Sequence, residues 1–425
     1  MIGNMGAMFA WVLSVLVVLL AFGQFLQALL FLVRTRGKHP TDAGNDPPKA
    51  AILLSLRGAD PGLAAGLKGF LRQDYPNYEL RIVVDSETDP AWDLVHAVVR
   101  ETGATNVRIR TLRERPGQCS LHCASLIQLA RELDESIELF ALADGDVVAH
   151  PAWLRELLTP IIRGQVDATT GHRWFAPVQG QFGSIVRYAW NAACVVALHF
   201  SGILWGGTFA GRTIDLRRSG LIDKWNRALA VDAPINECWR QLGLRVEFIP
   251  SLMMINREEC SLRSAFAFVC RQLLWTRLYQ PRLFWGMIVL HAFAASGMLL
   301  GTFGSMLYAV ATGAFSVAAV TLGALVFYSA AMVLSLMLLE ARVRGAADRA
   351  DGPVWRLLPS VLSRVVAAVF AAQIVHLLAT ACVLATRKVR WRGVVYEIRS
   401  PFDVRKVEDR MLCRSDQPAE PNQSL

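Results

Sequence analysis

Two carboxylates stand one residue apart in the stretch IELFALADGDVVAH, Ile137 to His150. Asp144 and Asp146 follow directly on the apolar run Leu139 to Ala143, with Gly145 between them. An apolar run of that length, bounded by glycine and charge, predicts a buried strand ending at a surface. Two anionic groups so close together repel each other and resist desolvation unless a cation or several donors sit beside them. A divalent ion held by one or two carboxylates together with substrate phosphates resolves the conflict. An ordinary Asp-Gly turn is equally compatible with this stretch taken alone. Gly145 lets the backbone bend or approach closely in either case.

The elements that position the pair read as alternating strands and helices. Strands are predicted at Ala50 to Leu56, Glu79 to Val84, Asn106 to Leu112 and Leu139 to Ala143. Helices fall between them, ending at Leu71 and covering Ala91 to Arg100 and Ser120 to Leu133. This alternation predicts an α/β fold with a mostly parallel sheet covered on both faces. Ligands of such sheets bind beyond the carboxyl ends of the strands. Arg57, Asp85 and Asp144/Asp146 each follow a strand directly and so share one rim, which favours a site over a turn.

Further on, a helix to Arg163, a strand at Asp167 to His172 and an apolar, buried helix at Ser184 to Ser201 are expected. A glycine-rich bend follows at Trp205 to Arg212, then a helix at Asp232 to Leu242 and a strand at Arg245 to Pro250. The helix at Ser261 to Tyr279 is amphipathic, basic and aromatic. Taken singly, Asp85 suits a turn, Asp232 a helix N-cap, and Trp275 a core or interfacial anchor.

Composition sets the surroundings. The 425 residues are 53% hydrophobic, with a mean hydropathy of +0.34, too apolar for a purely soluble chain. Residues 7–33 are long enough to cross a bilayer. Arg34, Arg36 and Lys38 after them place the following domain in the cytoplasm. Three further apolar stretches cover about Leu283 to Leu307, Phe315 to Leu339 and Val361 to Thr386. Arg342, Arg344, Arg349 and Arg356 precede the last stretch, and Arg387, Lys388, Arg390 and Arg392 follow it. Three clean crossings would set that basic tail on the wrong side, so one stretch is interfacial or re-entrant; the last, carrying Arg364, is the best candidate.

The domain reading is therefore a transmembrane helix at 7–33, an α/β domain at 48–281, a membrane domain at 283–386, and a tail at 387–425 that is basic and then disordered from Gln417. The formal charge of +9 suits an anionic membrane surface or a phosphate-bearing ligand. No basic block is interleaved with aromatics, so nucleic acid is not an expected partner. The 8 cysteines are scattered; only Cys119 and Cys123 lie close, without a second pair to complete a zinc pattern, and they are expected to be reduced.

The order of these residues carries a resemblance. A strand-end Asp, an Asp-x-Asp, a later Asp near a glycine bend and the RQLLW helix resemble an inverting family 2 type membrane glycosyltransferase of the GT-A fold. The chain is most similar to the ceramide glucosyltransferases and their bacterial relatives. SLRGADPGL (Ser55 to Leu63), QDYPNYEL (Gln73 to Leu80), the Asp89-Pro90 pair and the late WRGVVYEIRS (Trp391 to Ser400) carry it as well.

The resemblance implies a Rossmann-like cytoplasmic domain on an integral membrane protein, of a bacterial inner membrane. It implies transfer of a sugar from a nucleotide-sugar donor, a UDP-hexose, to a lipid hydroxyl with inversion, helped by Mn2+ or Mg2+. Asp85 then meets the nucleoside and Arg57 closes over it. Asp146 holds the metal on the diphosphate, and Asp144 joins it or meets ribose or sugar. Asp232 is the general base. Gly206, Gly207 and Thr208 bend beside the acceptor, and Arg271 and Trp275 meet acceptor and diphosphate.

Three places depart from the pattern. Leu274 stands where an Arg precedes the Trp, and Arg277 on the next turn is the candidate replacement. His122 and Ser125 stand where Lys and Asn are usual, so a protonated His122 is the candidate cation at the diphosphate. Val231 replaces an acidic neighbour of Asp232. A processive polysaccharide synthase and a catalytically impaired protein that keeps the nucleotide-binding fold are the alternatives.

Overall fold

The computed structural model describes residues 2–36, 42–44, 46–347 and 361–410. A central sheet is built from β1 (Ala50–Leu56), β2 (Tyr78–Val84), β3 (Val107–Thr111), β4 (Leu139–Ala143), β5 (Ala168–Phe175), β6 (Thr208–Arg212) and β7 (Val246–Asn256). Their spatial order is β3-β2-β1-β4-β6-β5-β7. Only β6 runs against its neighbours. The α/β class and the mainly parallel sheet are those the alternation predicts. The bend at Trp205 to Arg212 needs correcting, because its second half is β6, paired between β4 and β5. Its glycine content hides a strand that has room only for small residues: a Cβ on Gly211 would stand 3.2 Å from Trp239.

Register explains the shared rim. β1 lies between β2 and β4 and is buried along almost its whole length, which is why AAILLSL shows no polar alternation. Leu56 pairs with Val84, and Leu54 with Ala143. Arg57, Asp85 and Asp144 therefore emerge from adjacent strand ends. Helices Leu63–Leu71, Pro90–Thr102 and Trp153–Ile162 cover one face of the sheet. Helices Leu121–Arg131, Phe182–Ser201 and Asp232–Gln241 cover the other. Phe70, Phe140, Trp153, Phe209 and Trp239 are fully buried in these layers, each worth roughly 1.5–3 kcal/mol or more. The cysteines of the described residues are unpaired, and Cys119 and Cys123 are buried.

Four helices among the described residues are long and apolar enough to cross a membrane: Met5–Arg34, Pro281–Ala311, Phe315–Arg344 and Leu362–Ala385. The chain is an integral-membrane protein whose α/β unit sits between these helices. Pro281–Ala311 leaves the α/β unit, and the next helix returns to it: Arg342 donates to the carbonyl of Thr35, and Glu340 accepts from Tyr188 Oη at 2.9 Å. The last helix differs. At its start Arg364 donates to the carbonyl of Gly180 at 2.5 Å, and at its end the carbonyls of Leu384 and Thr386 accept from Arg277 at 2.9 and 2.6 Å. It therefore runs beside the amphipathic helix Leu262–Tyr279, with both ends on the α/β unit. Arg349, Arg356 and the stretch from Gln417 lie outside the described residues.

The tail also departs from its reading as merely basic. Residues after the last helix form a three-stranded antiparallel sheet, β8 (Lys388–Trp391), β9 (Val394–Ser400) and β10 (Asp403–Asp409). It packs on the α/β unit: Tyr396 Oη accepts from Leu121 N at 3.1 Å, and Lys406 N donates to the Gly117 carbonyl at 2.7 Å. The tail thus lies against the α/β unit, on the side that carries Arg57 and Arg115.

Candidate active site

Asp144 and Asp146 are half-buried at the end of β4, and one guanidinium bridges them. Arg173 Nη2, from β5, lies 2.5 Å from Asp144 Oδ2 and 2.9 Å from Asp146 Oδ1. Asn256, the last residue of β7, donates to the Asp146 carbonyl at 3.1 Å and to its Oδ2 at 3.4 Å. The two carboxylates thus converge on one positive charge. That is the donor set a Mg2+- or Mn2+-type ion takes, two carboxylates leaving the other positions to water and phosphate. Among the described residues no group of three His, Cys, Asp or Glu converges on one point.

The Asp232 carboxylate lies next to the pair. Its Oδ1 accepts from Gly206 N at 2.7 Å. Burial, and next the negative charge of Asp144, push its pKa up to about 7. The glycine bend makes this approach possible. A Cβ on Gly206 would lie 2.3 Å from Asp232 Oδ1, and one on Gly207 would lie 2.4 Å from Asp144 Oδ2 and 2.2 Å from the Trp205 ring. Gly206→Ala is accordingly expected to displace the Asp232 carboxylate, and any turnover that depends on its placement should slow by about 10²-fold, since a shift of about 1 Å costs that much. A turnover within twofold of wild type in a folded variant would refute this dependence.

The Asp85 side of the rim is held by charges. Asp85 is buried between Arg57 Nη1 at 2.5 Å and Arg115 Nη1 at 2.7 Å. Arg115 also pairs with Asp409 of β10 at 2.8 Å. Arg57 donates to the carbonyls of Arg392 and Arg410 at 2.8 and 2.6 Å, so it is neither solvated nor loose. Asp89 caps helix Pro90–Thr102 and accepts from Gly58 N at 2.9 Å, which pins the loop after β1.

Other expected residues divide. Trp275 and Arg271 line the same cavity as the three aspartates. Arg271 remains a cation although burial, then Arg173 and Arg392, bring its pKa down to about 9. Thr208 and Gly207 do not line it; the Thr208 hydroxyl bonds the Gly207 carbonyl at 2.8 Å. Arg277 does not supply charge to the site, because its guanidinium caps the end of the last helix. His122 faces the cavity but is not the expected cation. Burial holds its pKa below the usual imidazole value and Arg392 adds to this, against the opposing pull of Asp144. Leu274 points into the core, 1% exposed. Arg173, Asn256, Glu258 and Arg392 were missed. Burial and then the charge of Asp146 raise the Glu258 pKa to about 7.

These residues bound a cavity of about 750 Å³ that continues among the apolar helices. Below the aspartates it is lined by Trp190, by Gln24 of the first helix, by His291 of the second and by Gln373 and His376 of the last. Trp190 Nε1 donates to His376 Nδ1 at 3.2 Å. A site with a cluster of carboxylates and arginines at one end and a chamber among the long apolar helices at the other suits a phosphate-bearing ligand meeting a lipid.

Comparison with known proteins identifies the family. The family described as Glycosyl transferase family 21 matches residues 13–402. A ceramide glucosyltransferase of Gibberella zeae is 29% identical over 104 residues, 24% of this chain and 19% of that protein. One of Komagataella phaffii is 35% identical over 66 residues, 15% of this chain and 13% of that protein. The matched segments thus span a fifth or less of these curated relatives. A mannosyltransferase from Pyrobaculum calidifontis, solved in complex with GDP-Man and Mn2+, superposes with a TM-score of 0.48 at 16% identity, over 80% of this chain and 98% of that one.

Proposed function

The chain belongs to glycosyl transferase family 21, and we propose that it moves a sugar from a nucleotide-sugar donor to the hydroxyl of a membrane lipid, with inversion. The reading extends to a GT-A type domain on the cytoplasmic face and to a ceramide-like or related lipid acceptor. The observation that carries it is the single cavity joining Asp144, Asp146 and Asp232 to a chamber among the apolar helices. A soluble acceptor has no need of such a chamber.

Asp146 and Asp144 would hold Mn2+ or Mg2+, which neutralises charge on the departing nucleoside diphosphate. Asp85, with Arg57, would receive the nucleoside. Asp232, fixed by the Gly206 N–H, takes the proton of the lipid hydroxyl as its oxygen bonds to the anomeric carbon. The bond from that carbon to the diphosphate oxygen breaks on the opposite face, which inverts the configuration. A carboxyl whose pKa is about 7 suits that proton transfer at neutral pH. Arg271 and Trp275, between the aspartates and the chamber, would meet diphosphate and acceptor.

The test is incubation of the full-length protein in nanodiscs with labelled UDP- and GDP-sugars, Mn2+ and a lipid extract. A labelled glycolipid of low molecular weight is the expected product. A polymer would instead indicate a polysaccharide synthase, and no product with any donor would overturn the reading.

A further inference from the structure

We propose that Arg392, at the tip of the tail hairpin, is a donor-binding residue that grips the diphosphate of the nucleotide sugar. This deepens the proposed function and rests on it.

Three observations point to Arg392. The first is its backbone. β8 and β9 pair Trp391 with Val394, leaving a two-residue turn of Arg392 and Gly393 with φ of 45° and 79°. Both lie in the left-handed region, as in a type I′ turn, which favours Asn, Asp or Gly at the first position. Arg392 is the single non-glycine residue with positive φ among the described residues. An unfavourable residue held at such a tip is where function outweighs backbone preference.

The second is where the tip goes. The Arg392 carbonyl accepts from Arg57 Nε at 2.8 Å, and its Nη2 lies 2.6 Å from Asp60 Oδ2 in the loop after β1. Its neighbour Trp391 packs on His122 and Trp275, with ring centroids 5.8 and 6.2 Å apart. The hairpin therefore forms a wall of the cavity, and Arg392 lines it together with Asp146, His122 and Arg271.

The third is the charge the cavity holds for a diphosphate. Arg271 lines it as a cation, and Arg392 adds a second guanidinium from the tail of the chain. Arg173 is already committed to Asp144 and Asp146. Leu274 is buried in the core, Arg277 is turned away, and burial holds the His122 pKa below the usual imidazole value. A guanidinium presents a planar fork of donors that fits phosphate oxygens two at a time. Arg392 supplies one from a segment 246 positions beyond Asp146, which no local motif would contain.

The plainer reading is that Arg392 only ties the tail to Asp60. Arg392→Asn separates the two, because Asn suits the turn better than Arg. Binding of UDP with Mn2+ to the full-length protein, measured by calorimetry, is expected to weaken by about tenfold or more, the worth of one charge-assisted contact. The melting temperature should fall with the lost ion pair by about as much as in Asp60→Asn. Arg392→Lys should recover part of the affinity. Asp60→Asn, which breaks the ion pair but keeps the guanidinium, should bind within about twofold of wild type. The proposal is overturned if Arg392→Asn binds UDP as wild type does, or if Asp60→Asn loses as much affinity as Arg392→Asn. A wild-type protein that binds neither UDP nor GDP with Mn2+ overturns the proposed function, and this role with it.

Discussion

Asp232→Asn is expected to abolish measurable sugar transfer, with a loss in kcat of about 10²–10⁴-fold, while nucleotide binding stays near wild type. The loss is that of a general base at the reacting proton. Asn is isosteric and can still accept from Gly206 N, so the fold of the bend survives. The pH profile supplies a second readout. The base acts ionised, and its pKa is about 7. In wild type kcat/KM should therefore climb about tenfold per pH unit below that value and level off above it. Stability should move the other way. A folded-state pKa raised above the unfolded value of about 3.9 leaves full stability below pH 4, which is lost as pH rises through 7. Asp232→Asn removes that loss and should melt higher than wild type above pH 7. A variant with unchanged transfer would end the assignment of Asp232 as base.

The rim beside Asp232 was legible before the fold because its signals are local. β1, β2 and β4 are apolar runs ended by a charge, and parallel pairing aligns such ends. What was not legible depends on contacts far apart in the chain. Arg173 lies inside a strand, ATTGHRWF, where nothing local shows that its side chain turns to Asp144. β6 is five residues with two small ones, and such a strand exists only because β4 and β5 hold it from both sides. β8 has four residues and no buried apolar face of its own. It is held by its pairing with β9, and the turn between them accepts a hydrogen bond at Arg392 from Arg57, 335 positions away. The counting of positive charges also misled at Arg277: spacing on a helix gives the face, but not which neighbour covers it.

The second large effect is expected at Asp146. In the present geometry Asp144 and Asp146 share Arg173, yet their anchoring differs. Only Asp146 is also fixed from β7, by Asn256, on both its carbonyl and its carboxylate. A ligand oxygen held by two further strands loses little freedom when it engages a cation, so Asp146 is the stronger candidate ligand. Asp146→Asn keeps the shape and the contact with Asn256 but removes the charge. Transfer should then fall by about 10²-fold or more, and UDP affinity measured with Mn2+ should fall by a similar factor. Affinity measured with chelator should change little, or improve, because one negative charge near the diphosphate is gone. This opposite response is the decisive measurement. If affinity falls equally with and without Mn2+, Asp146 orders the pocket through Arg173 and Asn256 and the metal is held elsewhere. If neither changes, the Asp-Gly-Asp segment is the turn that its sequence alone allowed.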